Sequence, residues 1–543
     1  MTRRAGDEED ATEFDVVVVG AGSAGCALAG RLSEDPSLRV LLLEAGGDDK
    51  LLEVQIPAAL YKVWRTRRDW NYTTEPQPGL GGRQLFWPRG KLLGGSSSIN
   101  AMIYIRGARA DYDEWAKLTG DPSWSYENVL PLFRRMEDNA RGADRFHGVG
   151  GPLRIEDPRS VHRWTKALLQ SAVAAGYPRN PDFNGEMQEG VGLYQLTQKR
   201  GRRWSAADAY LHPAVGRPNL TVRTGALTTR VLVENGRATG VEYLQGGRRH
   251  AVRAAAEVVL CGGAVNSPQL LMLSGIGPAD HLRQAGIDVL HDLPGVGTNL
   301  QDHPLVPVIW HVRSGKSLFR AESPSGYARW FGARRGPLTS NLAEAGLFTR
   351  SDPGLAAVDL QFHFLPVKFW RQAEVDPDVD AFTAAAVLVN VASRGSVRLR
   401  SADPTWAPAI DAGYLTEEQD TRALVCGIEK AREIASVGPL ATVLAEEWSP
   451  GGTVRRPEDL RRTVRETLES LYHPVGSCRM GTGDDAVVDP QLRVRGLEGL
   501  RVVDASVMPT LIRGNTNAPT IMIAERAADL IAGRTLTASP TPR

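Results

Sequence analysis

Cysteine is scarce in this chain: four in 543 residues, at Cys26, Cys261, Cys426 and Cys478, with no C-x-x-C pair. That spacing argues against a disulfide framework or a structural zinc site and suits reduced thiols in a cytoplasmic protein. Neither sign of charge is in excess. The 64 basic residues against 63 acidic leave a net charge of +1, so nucleic acid is not an expected partner. The most basic short stretch, Lys199 to Arg203, reads as solvated surface. No run of about eighteen apolar residues occurs, so no transmembrane helix is expected and any membrane contact would be peripheral. The N-terminal stretch carries two arginines before Phe14 but no apolar segment, unlike a secretory leader. Residues 1–12 and 534–543 are polar and are expected to be disordered. Three catalytic patterns are missing as well. There is no H-E-x-x-H. Ser274 has Met272 where a nucleophile elbow needs glycine, and Gly315-Lys316-Ser317 has Trp310 where a P-loop needs one.

What remains is a large, balanced chain with 42% hydrophobic side chains, enough for two or more structural units. Phe14 to Val19 is a continuous apolar, β-branched run and reads as a buried parallel strand. Cys26 to Leu32 has helical character, and Arg39 to Leu43 is a second buried strand. This is a βαβ unit. Ala45 to Gly90 is broken by prolines and glycines, as a lid or binding loop is. Asn235-Gly236 between Leu227–Val233 and Ala238–Leu244 signals a hairpin. Val258 to Leu260 and Arg501 to Asp504 are further short buried strands. Asp359 to Phe364 is strand-like, Thr421 to Ala435 is helical, and Thr520 to Ile531 reads as an amphipathic helix. Parallel-type strands at the start, middle and end predict one nucleotide-binding domain assembled from separated segments, with a second domain inserted.

Gly20-Ala21-Gly22-Ser23-Ala24-Gly25 matches G-x-G-x-x-G, follows a strand and opens a helix. The second strand ends in Glu44, with Ala45 after it, at the spacing that lets an acid reach a ribose. Gly20 permits the tight turn, Gly22 lets the backbone approach a pyrophosphate, and Gly25 allows close helix packing. An acid here favours FAD or NAD over NADP and leaves the choice between those two open.

Three further segments bear on that choice: Gly90-Lys91-Leu92-Leu93-Gly94-Gly95-Ser96-Ser97-Ser98-Ile99-Asn100; Gly263-Ala264-Val265-Asn266-Ser267-Pro268-Gln269 with Leu273-Ser274-Gly275-Ile276-Gly277-Pro278; and Tyr472-His473-Pro474-Val475-Gly476-Ser477-Cys478-Arg479-Met480-Gly481, followed by Val503-Asp504-Ala505-Ser506 and Gly514-Asn515-Thr516-Asn517-Ala518-Pro519-Thr520. Together they resemble the glucose–methanol–choline (GMC) oxidoreductase family, from about Phe14 to Ile531. The wording is most similar to the bacterial choline dehydrogenase and aliphatic alcohol dehydrogenase branch. The resemblance implies an α/β fold: a split Rossmann-type FAD-binding domain with an inserted mixed-sheet substrate domain. The expected division is 13–157, 218–304 and 461–533 for FAD, with a flavin lid near 45–90, and 158–217 and 305–460 for substrate.

By the same resemblance, Gly94, Gly95, Ser96, Ser98, Asn100, Ala101 and Met102 lie along the cofactor, and Val231 offers a backbone contact to adenine. Asp504 and Ala505 approach the ribityl-phosphate region, and Asn517 and Thr520 the flavin pyrimidine edge. Ile99 stands where some members link FAD through histidine, so FAD is expected to be non-covalent.

Alcohol oxidation by a flavin needs a base near neutrality, and histidine suits it. Among the 10 histidines, His473 matches the family's base. Asn515 matches its partner, with Asn517 the alternative. Glu344 is a candidate for attracting a cationic alcohol such as choline. Phe362 and Phe364 are candidates for the substrate wall, although strand alternation lets either these rings or His363 face the flavin. The expected reaction oxidises an alcohol and passes electrons to a quinone-like acceptor, with oxygen as the oxidase alternative and a non-redox lyase as the remote one. The protein is expected to be a monomer or homodimer.

Overall fold

The computed structural model describes residues 12–371 and 378–534. In chain order its main elements begin with β1 (Glu13–Val19), α1 (Ser23–Leu32), β2 (Val40–Glu44), β3 (Gly190–Leu193), β4 (Leu220–Thr224), β5 (Ala226–Glu234) and β6 (Arg237–Gln245). Next come β7 (Arg248–Leu260), α2 (Gly263–Leu273), β8 (Pro304–Val312), β9 (Ala345–Thr349), β10 (Leu360–Leu365), β11 (Ala381–Leu388) and α3 (Glu418–Ala435). The chain closes with β12 (Leu444–Ser449), β13 (Glu469–Ser470), β14 (Leu500–Val502) and α4 (Asn517–Ile531).

Two seven-stranded sheets organise these elements. The first runs β4-β2-β1-β7-β6-β5, with β14 also paired to β7. Its central strands are parallel, Val17 standing beside Leu41 on one side and Val258 on the other. All three strands are buried where they meet, which is why the sequence there shows unbroken apolar runs rather than alternation. The β5–β6 hairpin turns at Asn235 (φ 51°) and Gly236 (φ 77°), the left-handed pair that a two-residue turn requires. The second sheet runs β12-β8-β11-β10-β9-β3, with β13 paired to β8, and every one of its pairings is antiparallel. The mixed character therefore lies in the first sheet. β13, which leads into His473, pairs with the second sheet although it falls in the 461–533 segment.

One expectation lies outside the described residues and two need correction. The tails 1–12 and 534–543 lie outside the described residues except at their inner ends. There the Thr12 carbonyl accepts from Arg253 N at 2.8 Å and Arg534 N donates to the Asp529 carbonyl at 2.8 Å. Arg203 is not solvated surface. It is buried and donates to Asn100 Oδ1 at 2.7 Å and to the Ser97 carbonyl at 3.1 Å. Helix α4 is not amphipathic in situ, since Ala518 to Asp529 are all buried. Its polar side meets protein instead of water. Glu525 accepts from Arg31 Nε at 3.0 Å, Arg135 Nε at 2.9 Å and Tyr210 Oη at 2.7 Å.

This network ties α4 to α1. Replacing Glu525 by Gln removes the charge that both arginines face, and breaking a buried pair this way costs about 3 kcal/mol. The thermal unfolding midpoint is expected to fall by several degrees; an unchanged midpoint would show that the network is dispensable.

Candidate active site

One large cavity, about 630 Å³, runs from the carboxyl ends of β1, β2 and β7 to the face of the second sheet. Strand order reverses about β1: α1 leads to β2 on one side, while β7 lies on the other. Such a switch point opens a crevice beyond the strand ends.

The dinucleotide half is built by close backbone approaches. Gly20 has φ +99°, and a Cβ there would sit 2.6 Å from the Cys261 carbonyl oxygen. A Cβ at Gly25 would meet the Gly20 oxygen at 1.8 Å, whereas one at Gly22 would meet nothing within 4 Å. Gly20 and Gly25 are therefore glycines for packing, and Gly22 borders open space. Gly95 abuts it from the second glycine stretch, its absent Cβ only 2.6 Å from Gly22 Cα. Helices α1 and α4 both begin here, neither with a side-chain cap. Their starts are joined by Ser23 Oγ, which donates to Asn517 Oδ1 at 2.7 Å. Two helix N-termini thus aim their first-turn amides at one place, an arrangement suited to phosphate.

Glu44 reaches the cavity, but its carboxylate also braces the turn, accepting from Ala21 N at 2.9 Å and Gly46 N at 2.7 Å. Burial pushes its pKa up to about 7, against those two hydrogen bonds. Asp504 does the same for α2, accepting from Gly263 N at 2.8 Å and Ser267 Oγ at 2.6 Å. Burial raises its pKa too.

Of the residues expected from sequence, Gly20, Gly22, Ser23, Ala24, Glu44, Ala45, Gly95, Ser96, Asn100, Ala101, Met102, Asp504, Ala505, Asn517 and Thr520 all line the cavity. Gly25, Gly94 and Ser98 stand behind that lining; Ser98 Oγ donates inward to the Leu93 carbonyl at 2.8 Å. Val231 is also set back. Its N–H donates to Ser274 Oγ at 2.9 Å, and Leu227 and Thr228 take the cavity position instead. A register shift between Thr228 and Arg230 separates the two faces of the strand.

The other half centres on His473 and Asn515, which line the same cavity. His473 N donates to Asp302 Oδ1 at 2.7 Å, and Asp302 also accepts from Ser470 and Tyr414. Gln361 Nε2 donates to Asn515 Oδ1 at 3.2 Å. That leaves the Asn515 amide nitrogen 3.4 Å from His473 Nε2. An amide nitrogen only donates, so Nε2 is the unprotonated nitrogen and Nδ1 carries the hydrogen. Nδ1 faces His303 Nδ1 at 3.0 Å, which acts as the acceptor. Burial first, then the neighbouring His303, His363 and Arg89, holds the His473 pKa well below 6.5. Burial also lowers both His303 and His363 to about 3. The three rings are neutral at pH 7.

On β10 the alternation is decided. His363 lines the cavity, while Phe362 and Phe364 stack on each other on the opposite face, 5.7 Å apart. The structure does not bring those two rings to the site, nor Glu344. The Glu344 carboxylate accepts from Thr165 Oγ1 at 2.6 Å, His162 N at 2.8 Å and Ser340 Oγ at 2.8 Å. Sequence reasoning missed Asp302, His303 and Gln361. The only signal for them was an Asp-His-Pro run at the start of a strand.

Comparison with known proteins agrees with this layout. Two family models, both described as GMC oxidoreductase, match residues 14–305 and 391–524. Mitochondrial choline dehydrogenase of Homo sapiens is 45% identical over 97% of this chain and 91% of that one. Alcohol dehydrogenase [acceptor] of Pseudomonas putida is 44% identical over 95% of each. The crystal structure of pyridoxine 4-oxidase from Mesorbium loti superposes with a TM-score of 0.88 at 35% identity, covering 96% of this chain and all of that one.

Because Gly22 borders open space, Gly22→Val is expected to fold normally and yet to lose dinucleotide affinity by tenfold or more. Circular dichroism and cofactor titration check this. A variant that still binds with native affinity would move the pyrophosphate site elsewhere.

Proposed function

The chain belongs to the GMC oxidoreductase family, and from that membership we propose that it oxidises an alcohol to an aldehyde or ketone. The observation that carries this reading is His473 Nε2 lying 3.4 Å from the Asn515 amide nitrogen, in a buried cavity shared with the dinucleotide cradle. The family indicates FAD, and the donor set fits it. Gly22, Gly95 and the starts of α1 and α4 suit the pyrophosphate, and Glu44 suits a ribose. When bound, the flavin supplies the acceptor for the hydride that leaves the carbinol carbon.

The chain's own residues handle the proton. His473 Nε2 takes it from the hydroxyl, while the Asn515 Nδ2–H and the cavity wall hold the oxygen as it gains negative charge. A preorganised donor of this kind contributes about 3 kcal/mol to transition-state stabilisation. His303 accepts from His473 Nδ1 and fixes which nitrogen is basic, and Asp302 anchors the His473 backbone. His473 is thus oriented from two sides before substrate arrives.

We take the acceptor to be quinone-like, a reading supported by the name of the Pseudomonas putida relative, alcohol dehydrogenase [acceptor]. Oxygen is the second reading, supported by an oxygen-dependent choline dehydrogenase of Stenotrophomonas maltophilia that is 45% identical. Slow return of flavin colour in air after anaerobic bleaching supports a dehydrogenase; return within seconds makes it an oxidase. Bleaching by substrate at all excludes a pure lyase.

The Ile99 side chain packs with Val54, Val63 and Leu92 and offers no nucleophile, which supports FAD held without a covalent link. Acid precipitation is expected to leave the flavin in the supernatant. A yellow pellet would refute this.

The depressed His473 pKa sets the pH dependence. The base is competent above its pKa and lost as pH falls through it, so kcat/KM is expected to stay level from neutrality downward and to fall only well below pH 6.5. His473→Ala is expected to lower kcat/KM about 1000-fold and to remove that limb. An acid limb above 6.5 would contradict the assigned environment.

A further inference from the structure

The relatives divide between choline, a cation, and other alcohols, and the interior of this chain discriminates between them. We infer that the substrate is an uncharged alcohol with an apolar body, an inference that rests on the alcohol-oxidation reading and adds the substrate class. Beyond His473 the cavity is walled by Leu60, Phe319, Leu342, Leu365, Val367 and Phe369. These belong to a separate apolar cluster under the second sheet. Asn341, His363, His473 and Asn515, which border this half, are neutral at pH 7.

A quaternary ammonium buried here would need a carboxylate, because an unpaired charge is expensive to remove from water. Among the described residues, the only carboxylates lining the cavity are Glu44 and Asp504. Both stand at strand ends on the dinucleotide side and are committed to backbone N–H groups. The described acids nearer the substrate half are already engaged, and Asp302, behind His473, accepts from His473 N, Ser470 and Tyr414. Glu344 spends its oxygens on Thr165, His162 and Ser340 and does not line the cavity. Glu322 accepts from Tyr61 Oη at 2.7 Å and pairs with Lys62, so its charge is already met. Arg89, which does line the cavity, adds positive potential. Aromatic faces at Tyr61, Trp64, Phe319 and Phe369 remain, and they welcome an apolar body as readily as a cation.

The test compares choline with its neutral isostere, the dimethylbutanol in which carbon replaces the quaternary nitrogen. The two have the same shape and differ in charge. Anaerobic flavin bleaching by the wild-type holoenzyme is followed with each, alongside a series of straight-chain primary alcohols. The isostere is expected to exceed choline in kcat/KM by about 100-fold. The straight-chain series is expected to gain about threefold per added methylene until the wall is filled. Choline equal to or better than its isostere would overturn the inference and leave the alcohol reading intact. Bleaching only by polyols or other polar alcohols would also overturn it. No bleaching by any alcohol would defeat both. Glu344→Gln is expected to leave the choline-to-isostere ratio within a factor of about two; a tenfold swing toward the isostere would mean that Glu344 senses substrate charge, contrary to the inference.

Discussion

Glu525 accepts from Arg31 in the interior, 494 residues away in the chain, where α1 lies along α4. The position of the reacting centre follows from this contact. It draws the start of α4 against the start of α1, so that Asn517 meets Ser23. Asn515, two residues before α4, is thereby carried to the edge of the dinucleotide turn. A charge buried this deeply is costly unless fully paired, and Arg135 and Tyr210 complete the pairing. The demand for those partners makes the contact selective: few other packings of α4 would satisfy Glu525.

From that starting point the site is assembled by backbone approach on one side and by neutral imidazoles on the other. The glycine turn and the second glycine stretch meet closely at Gly22 and Gly95, an approach that a Cβ on Gly95 would block. Across the cavity, three histidines are kept uncharged by burial and by one another. A neutral ring is what a proton acceptor must be, and the low-polarity wall that keeps it neutral also selects against charged substrates. Catalytic readiness and the inferred substrate preference therefore share one physical cause, the apolar lining of the second cluster.

The nucleotide half was the more legible. Its determinants are local: a buried strand, a glycine turn, a helix start and an acid at a set distance can all be read along a few dozen residues. The GMC motifs extended this to His473 and Asn515, which the structure places side by side. Legibility ended where residues act through contacts distant in sequence. Glu344 looked like a possible cation site because its partners, Thr165 and His162, lie far upstream. Val231, expected to offer a backbone contact, is set back with its N–H donating to Ser274 Oγ, while Leu227 and Thr228 line the cavity. Helix α4 showed an amphipathic pattern, but its polar side proved to be an interior network.

The sequence by itself determined the parallel nucleotide fold, the packing roles of Gly20 and Gly25, the hairpin at Asn235-Gly236 and the lack of any apolar run of about eighteen residues. These depend on periodicity and on backbone conformations that particular residues permit. Only the tertiary structure decided that His363 rather than Phe362 and Phe364 faces the cavity, that His303 and Asp302 orient His473, and that among the described residues the substrate half holds no available carboxylate. Those outcomes depend on sheet register and on which buried groups have already found partners, and neither is written in the order of residues along the chain.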